Sequence, residues 1–207
     1  MSPEQLHSFA EATLAHALIQ LAVHFPEELG AVPLTVPEAL ERALGLAEAA
    51  IARSPELADG YVALGRLLLC HDEDDALADA VEILEHAVAL DPEHDGAELA
   101  LATALHARGH AQDALGRVER VLKRGNGQAQ GLVLRASILA DLGRHEDATR
   151  DMERAVRIAP YAGMVHLDAA RIFAAAGDAE ASAVFAAQAR ALLGAAYAAV
   201  DKALARP

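Results

Sequence analysis

Two residue types in this sequence, histidine and cysteine, could bind a metal ion or act in catalysis. There are ten histidines and one cysteine. His106 and His110 are four residues apart, a spacing at which two imidazoles on one helix can bind zinc, but Gly109 ends the helix between them and no HExxH motif occurs. His110 and His145 fall in predicted turns and are expected to be exposed. We therefore expect no metal site and no cofactor.

Cys70 could act as a nucleophile only beside a base, for which His71 and His106 are candidates. A small buried residue near a helix end is the more ordinary role, and His166 is likewise expected to be packed. The sequence has no GxSxG, P-loop or GxGxxG fingerprint, and residues 125–127 are predicted to form a turn. Because no nucleophile, base and orienting group can be assembled, we expect no catalytic residues and no enzyme.

A run of carboxylates, Asp72, Glu73, Asp74 and Asp75, follows His71. Calcium loops need alternating oxygen ligands, a glycine at the bend and a terminal glutamate at a fixed distance, and this run lacks the last two. The expected structure is a solvated turn with an aspartate capping the next helix. Docking of a basic partner on these four carboxylates is the alternative.

Composition and charge favour an acidic, helical protein. Hydrophobic residues make up 54% of the chain, many of them alanine, whereas aromatic residues make up only 3%, which is typical of closely packed helices. The net charge of −14 would repel a phosphate backbone, so we expect no nucleic-acid partner. The single cysteine, the acidic N-terminal residues Glu4 and Glu11, and the lack of a long apolar run indicate a cytoplasmic protein without membrane insertion.

A motif of six residues repeats along the chain. Gly109-His110-Ala111-Gln112-Asp113-Ala114 recurs at residues 143–148 and again at 177–182, with a constant spacing of 34 residues. A fixed period of this length is the signature of a repeat array. In each copy the glycine stops one helix, and an acidic or amide residue three places later starts the next. The repeats are therefore predicted to be helical hairpins.

Two capping boxes predict where the first helices begin. Ser2-Pro3-Glu4-Gln5 starts a helix at about residue 3, and Thr35-Val36-Pro37-Glu38 opens a second helix that Pro55 ends. Residues 26–34 are expected to connect the two. The first helix is expected to bury an apolar stripe formed by Leu6, Phe9, Leu14, Leu18, Leu21 and Phe25.

From residue 58 onward, large and small apolar residues alternate in a fixed pattern of Tyr61, Leu64, Gly65 and Leu68, then Ala80, Leu84, Ala87 and Pro92. This pattern resembles the tetratricopeptide repeat, W-x-x-L-G-x-x-Y, then A-x-x-x-F, then P, with Tyr and Leu for its two aromatic residues. Later copies retain Leu101, Ala102, Leu105, Ala114, Val118 and Val121; Leu132, Ala136, Leu139, Ala148, Met152, Ala155 and Pro160; and His166, Ala169, Ala170, Phe173, Ser182, Ala186 and Ala189. The small residues allow helices to cross closely.

The resemblance implies an all-α, right-handed α-solenoid of about five hairpins, closed by a C-terminal capping helix. We expect a single domain over residues 1–207, divided into a divergent hairpin at 3–57, repeats at 58–94, 95–128, 129–162 and 163–193, and a capping helix at 195–205. Three extra residues separate the helices of the first repeat, so a longer acidic turn is expected there.

In tetratricopeptide proteins the first helix of each hairpin lines a concave groove that binds a peptide or a partner helix. By this resemblance, the groove residues are Val62, Arg66, Leu99, Thr103, His106, Val133, Ser137, Asp141, Leu167 and Arg171. They predict an apolar floor with polar flanks, suited to an amphipathic or hydrophobic segment rather than to a carboxylate clamp built from Lys and Asn. The implied function is a non-catalytic scaffold or adaptor.

Three alternatives remain open. The apolar stripe could be covered by the chain's own N-terminal helix or by a second copy of the chain. The chain could assemble into homo-oligomers through Tyr197, Val200 and Leu204, residues that otherwise face inward from the capping helix. It could also be a cytoplasmic chaperone for a secreted or membrane-bound substrate.

Overall fold

The computed structural model describes residues 1–24, 35–70, 74–125 and 128–194. Over these ranges the chain forms ten helices and no strand, which confirms the predicted all-α class. The predicted loop at 26–34 and the capping helix at 195–205 lie outside the described residues. The helices are α1 Pro3–His24, α2 Val36–Arg53, α3 Ala58–Leu68, α4 Asp74–Leu90, α5 Asp95–Ala107, α6 Ala111–Arg124, α7 Gln128–Asp141, α8 His145–Ile158, α9 Gly163–Ala175 and α10 Ala179–Leu193.

The helices belong to two compact units, one ending at His110 and the other beginning at Ala111. In the first unit α1 packs on α2 and α3 packs on α4, while α3 also contacts α1, α2 and α5. The first helices of successive hairpins are therefore neighbours. In the second unit each helix packs on the next in sequence, and α7 also contacts α9. The single right-handed solenoid over the whole chain stays a prediction.

Three helices, α5, α7 and α9, are each followed by the same glycine motif. Gly109, Gly143 and Gly177 have φ angles of 82°, 73° and 82°, a region that favours glycine because it has no Cβ. After α5, the Gly109 N–H donates to the His106 carbonyl at 2.9 Å and the His110 N–H donates to the Leu105 carbonyl at 2.8 Å. This is the Schellman pattern, and it satisfies carbonyls that the end of a helix leaves without partners.

Both predicted capping boxes are present. The Ser2 N–H donates to the Gln5 side chain at 2.7 Å, and the Gln5 N–H donates back to the Ser2 hydroxyl at 3.2 Å. Thr35 and Glu38 make the same reciprocal pair at the start of α2. The predicted helix starts are confirmed because these signals depend only on neighbours in sequence.

The seam between α1 and α2 is made mainly of alanine. Ala39, Ala43, Ala47 and Ala50 of α2 are fully buried, and they face a stripe of α1 that includes Ala12, Ala15, Ile19 and Ala22. The hydroxyl of Ser8, which is also buried, donates to the Ala50 carbonyl at 2.8 Å and links the two helices. Small side chains at this seam allow the helices to approach closely.

The predicted apolar stripe of α1 is therefore partly wrong. Leu18 is buried as expected, but Leu6, Phe9 and Leu14 are 55%, 46% and 49% exposed. Leu21 and Phe25 lie outside the part of the chain whose side chains are described. The prediction assumed that α1 buries its large apolar residues. Instead, α1 buries the face whose small residues fit the alanines of α2.

Gly65 marks the closest approach within the α3–α4 hairpin. A Cβ added at this position would lie 2.5 Å from Cγ of Leu84, whose side chain is fully buried. The glycine of the repeat pattern is thus required because the large residue of the second helix occupies its side-chain space.

The second unit contains an ion pair within its core. Arg135 Nε and Nη2 donate to the two carboxylate oxygens of Asp151 at 2.6 and 2.7 Å, and the Asp151 side chain is only 7% exposed. This hydrogen bond raises the pKa of Arg135, against the opposing effect of burial. Arg135 stands where Leu64 and Leu101 stand in earlier repeats, so α7 and α8 are joined here by charge in place of apolar contact.

We expect Gly65→Ala to destabilise the protein by about 1–3 kcal/mol, because Leu84 must move to accommodate the methyl group. Gly45→Ala is the matched control in α2, where an added Cβ meets no atom within 4 Å. This change should stabilise the protein by about 0.5–1 kcal/mol, because alanine is the better helix former. Urea unfolding followed by circular dichroism measures both, and equal effects would contradict the assigned close approach.

We expect Arg135→Met to destabilise the protein by about 2–3 kcal/mol, because Asp151 would be left buried without its partner. The double variant Arg135→Met with Asp151→Leu should recover most of this loss. As a control, Arg144→Met removes an exposed pair with Asp147 and should change stability little. If the double variant is no more stable than the single one in urea unfolding, the pair does not act as described.

Candidate functional site

A recess of about 150 Å³ opens on the first helices of the first unit, where α1, α3 and the start of α5 meet. It contains four ionisable side chains, which come from α1, α3 and the turn before α5. The residues that line it are Ala12, Thr13, His16, Asp59, Val62, Ala63, Arg66, His94 and Gly96.

The guanidinium of Arg66 lies against the ring of His16, and its Nη1 is 3.0 Å from each ring nitrogen. Burial lowers the pKa of His16 to about 4, and the charge of Arg66 acts in the same direction. His16 is therefore neutral at physiological pH, and a ring nitrogen can accept a hydrogen bond from the guanidinium. Burial also lowers the pKa of Arg66. No carboxylate of the described residues forms an ion pair with Arg66.

The carboxylate in the recess, Asp59, is held by a different partner. His94 Nε2 donates to Asp59 Oδ1 at 3.3 Å, while His94 Nδ1 accepts from the Ala97 N–H at 3.0 Å and so caps α5. The hydrogen bond to Asp59 raises the pKa of His94, and burial opposes that rise. The Asp59–His94 pair therefore fixes the start of α5 beside α3.

Two family models, both of the tetratricopeptide repeat, match this sequence, one over residues 73–138 and the other over 129–161. The fold shown above consists of helical hairpins with the glycine, alanine and large apolar residues of that repeat at their contacts. Residues 73–161 of the chain are therefore tetratricopeptide repeats. Its repeats support a role as a protein-interaction scaffold, and the family is in general non-catalytic.

Solved structures of other proteins share this fold. The thermophilic TPR protein TTC0263 of Thermus thermophilus is 20% identical, with a TM-score of 0.70 over 92% of this chain and 98% of that one. PilF of Pseudomonas aeruginosa is 15% identical, with a TM-score of 0.60 over 93% and 86%. YrrB, described as a TPR protein with an unusual peptide-binding site, is 17% identical, with a TM-score of 0.52 over 94% and 97%. No curated protein matches the chain in sequence.

In the first unit, the predicted groove residues differ in exposure. Val62 and Leu99 are only 7% and 2% exposed, whereas Thr103 is exposed and His106 is half-buried. Val62 and Arg66 lie together in the recess. Val62 is on the helix that packs against α1, in agreement with the alternative in which the N-terminal helix covers part of the stripe.

In the second unit the predicted groove residues also differ in exposure. Leu167 is 2% exposed and packs in a cluster with Ala189 and Leu193 of the partner helix α10. Val133 and Ser137 are half-buried, and Asp141 and Arg171 are exposed. The prediction of an open apolar groove floor is therefore wrong at Val62, Leu99 and Leu167, because these side chains are buried in contacts between helices. Whether the polar members of the set bind a partner stays a prediction.

Arg66 and Arg171 occupy the same repeat position but have different environments. The Arg171 side chain is 57% exposed and lies 3.8 Å from the carboxylate of Asp168. Burial raises the pKa of Asp168 to about 6, and the charge of Arg171 opposes that rise. Sequence position alone therefore did not distinguish an arginine that lines a recess from one that faces solvent beside a carboxylate.

The acidic run is described only in part. Asp74 and Asp75 are exposed in the first turn of α4, and Asp72 and Glu73 lie outside the described residues. The predicted longer turn between α3 and α4 stays a prediction, because residues 71–73 lie outside the described ranges.

Cys70 and the histidines show what sequence position predicted and what it missed. The thiol of Cys70 is half-buried, donates to the Arg66 carbonyl at 3.5 Å and has its pKa raised by burial, which disfavours a nucleophile. His166 is packed as expected, and its Nε2 donates to the Pro160 carbonyl at 2.8 Å. His110 is exposed, but His145 is half-buried at the start of α8, so the expected exposure of His145 is wrong.

No signal in the sequence pointed to His16, Asp59 and His94 as members of one site. His16 and Arg66 are 50 residues apart, and Asp59 and His94 are 35 apart. The second separation is close to one repeat, so comparing the starts of α3 and α5 could have suggested that pair.

No described helix combines the length and the apolar character needed to cross a bilayer.

We expect Asp168→Asn to stabilise the protein above pH 7 and to have no effect near pH 4. The raised pKa of Asp168, about 6 against the ordinary value of 3.8, means that the folded chain holds a proton there, so stability falls as pH rises between these values. The side chain is 28% exposed, so we expect a gain of roughly 1–2 kcal/mol at pH 7.5. Urea unfolding at both pH values measures it, with the exposed Glu146→Gln as control. A difference that does not depend on pH would contradict the assigned burial.

Proposed function

We propose that the chain binds an extended or helical segment of another protein on the first helices of its first unit, across the recess at Arg66. The observation that carries this proposal is the recess itself. It places a cation, two imidazoles and an aspartate beside the buried side chains of Ala12, Val62 and Ala63, on the side where successive first helices are neighbours. Concave sites with few polar groups are typical of ligand binding.

The rim of the recess supplies an apolar contact. Phe9, Thr13 and His16 lie at positions i, i+4 and i+7 of α1, and such residues share one helix face. Phe9 is 46% exposed, and Thr13, one turn further along, lines the recess. A partner segment could therefore cover Phe9 and reach the recess from the same direction, which favours an amphipathic partner.

The charge of the first unit favours a basic partner. Residues 1–110 contain 20 acidic and 4 basic side chains, a net charge of −16, whereas residues 111–207 contain 11 acidic and 13 basic ones, a net charge of +2. Complementary charge increases the association rate and selects against like-charged partners. The amphipathic segment is therefore proposed to carry mainly lysine and arginine on its polar face.

The fold of YrrB, a TPR protein described with an unusual peptide-binding site, is compatible with this proposal. Self-assembly through Tyr197, Val200 and Leu204 stays a prediction, since these residues lie outside the described ranges. The role as a chaperone also stays a prediction.

Selection of a random 12-residue peptide library on the full chain tests the proposal. Enriched peptides should be amphipathic with net positive charge. Thr13→Arg, which adds bulk and positive charge at the recess, should weaken their affinity at least about tenfold. The matched control is Val184→Arg, which adds the same side chain at an exposed position of α10 and should leave the affinity unchanged.

Fluorescence anisotropy with the synthetic peptides measures these affinities, and circular dichroism checks that both variants are folded. Equal affinities for the two variants would contradict docking on this face. A selection that yields no binder would also contradict the proposal.

A further inference from the structure

We propose that the outer side of α6 and α8 binds the outer side of α4 in a second copy of this chain. The basic face comprises Arg120 and Lys123 of α6 and Arg150, Arg154 and Arg157 of α8, and the acidic face comprises Asp75, Asp79, Glu82 and Glu85 of α4. All of these side chains are exposed. The contact goes beyond the proposed function, because these helices do not line the recess at Arg66.

The charge of the outer side reverses between equivalent helices of the repeat. Three fully buried alanines, at intervals of 34 residues, mark the same repeat position in α4, α6 and α8, namely Ala80, Ala114 and Ala148. The exposed residues six places beyond them are His86, Arg120 and Arg154, and those nine places beyond are Ala89, Lys123 and Arg157. These outward positions therefore carry lysine or arginine on α6 and α8 and neither on α4, whose exposed charged side chains include five carboxylates.

The two faces also have the same spacing. Each contains a stripe at positions i, i+4 and i+7 of one helix, which are Asp75, Asp79 and Glu82 on α4 and Arg150, Arg154 and Arg157 on α8. Residues at this spacing lie on one side of a helix, and each stripe is about 10.5 Å long at a rise of about 1.5 Å per residue. When α4 of one copy lies antiparallel to α8 of another, three carboxylates therefore meet three guanidinium groups.

The charges of both faces are largely unpaired within the chain. Arg150 Nη1 donates to Asp147 Oδ1 at 2.9 Å, and both residues belong to α8. In the part of the chain that the structure describes, no ion pair involves Arg154, Arg157 or the carboxylates of the acidic face. The counter-charges of these groups can therefore come from another molecule.

The basic face contains a depression in which a helix can lie. A recess of about 320 Å³ is found where α6, α7 and α8 meet, and its lining includes Lys123 of α6 and Arg154 of α8. Leu122, which is half-buried, and the fully buried Leu132 supply apolar lining between the two cations. Docking of a helix in a groove between two other helices is a common mode of recognition.

A second copy fits this face although the chain as a whole carries a net charge of −14. At physiological ionic strength, charges are screened over about 8 Å, so two docked surfaces respond mainly to the charges next to them. Each copy carries both faces, and their spacing matches. Because exposed ion pairs contribute little individually, the association is expected to be weak and sensitive to salt.

Sedimentation equilibrium of the full chain tests the association. The wild-type protein should associate reversibly. Raising the salt concentration from about 0.1 M to about 1 M shortens the Debye length from about 10 Å to about 3 Å and should weaken the association at least about tenfold. A wild-type chain that stays monomeric up to about 0.5 mM at the lower salt concentration would show that the inference is wrong.

Charge reversal identifies the two faces. Arg154→Glu with Arg157→Glu blocks the basic face, and Asp79→Arg with Glu82→Arg blocks the acidic face, so each double variant alone should associate at least about tenfold more weakly than the wild type. An equimolar mixture of the two should form a 1:1 dimer, because each variant keeps the face that the other needs. This result is specific to a contact between two different surfaces, and it also shows that both variants are folded.

The matched control is Arg42→Glu with Arg108→Glu, which reverses two exposed arginines of the first unit and changes the net charge by the same amount as the α8 variant. It should associate as the wild type does. If this control loses association equally, or if the mixture of blocked variants stays monomeric, the assigned faces are wrong.

Two further outcomes would overturn the inference. Association that persists after reversal of either face would mean that the copies meet through another surface. A wild-type chain that does not self-associate but binds phosphatidylserine vesicles through Arg154 and Arg157 would assign the basic face to an anionic membrane. Thr13→Arg should leave self-association unchanged, so a failure of this inference is distinguishable from a failure of the proposed function.

Discussion

The close approach of helices across small residues is the constraint on which this structure depends. In the first unit α2 contributes fully buried alanines to the α1–α2 seam, and Gly65 lies where Leu84 leaves no room for a methyl group. Each alanine contributes little apolar area, so the seams stabilise the fold through many small contacts. Because those contacts require short distances between helix axes, they also fix where every longer side chain can reach.

The recess is a consequence of these seams. Arg66 follows Gly65 in α3, and the packing of α3 against α1 brings its guanidinium to His16. Asp59, in the first turn of the same helix, reaches the residue that caps α5. A polar site is thus built from three helices whose spacing is set by apolar residues. A substitution in one of the seams would therefore move the polar side chains of the site.

The elements that were predicted correctly from the sequence depend on nearby residues. A capping box links residues three apart in sequence, and the glycine turn motif is six residues long, so each could be recognised within a short stretch of sequence. The site could not be predicted in this way, because His16 and Arg66 meet only after α1 and α3 pack. The repeat register also assigned Arg66 and Arg171 to equivalent places, yet one lies in a recess and the other in solvent, since burial depends on which helix lies alongside.

The glycine turns at residues 109, 143 and 177 bear on how the chain folds. Each ends its helix through hydrogen bonds between residues no more than five apart in sequence. Proteins rich in such local contacts fold quickly, because little loop entropy is lost before contacts form. An array of this kind can also lengthen by duplication of one 34-residue unit, since each copy brings its own turn and the new hairpin can form before its neighbours are in place.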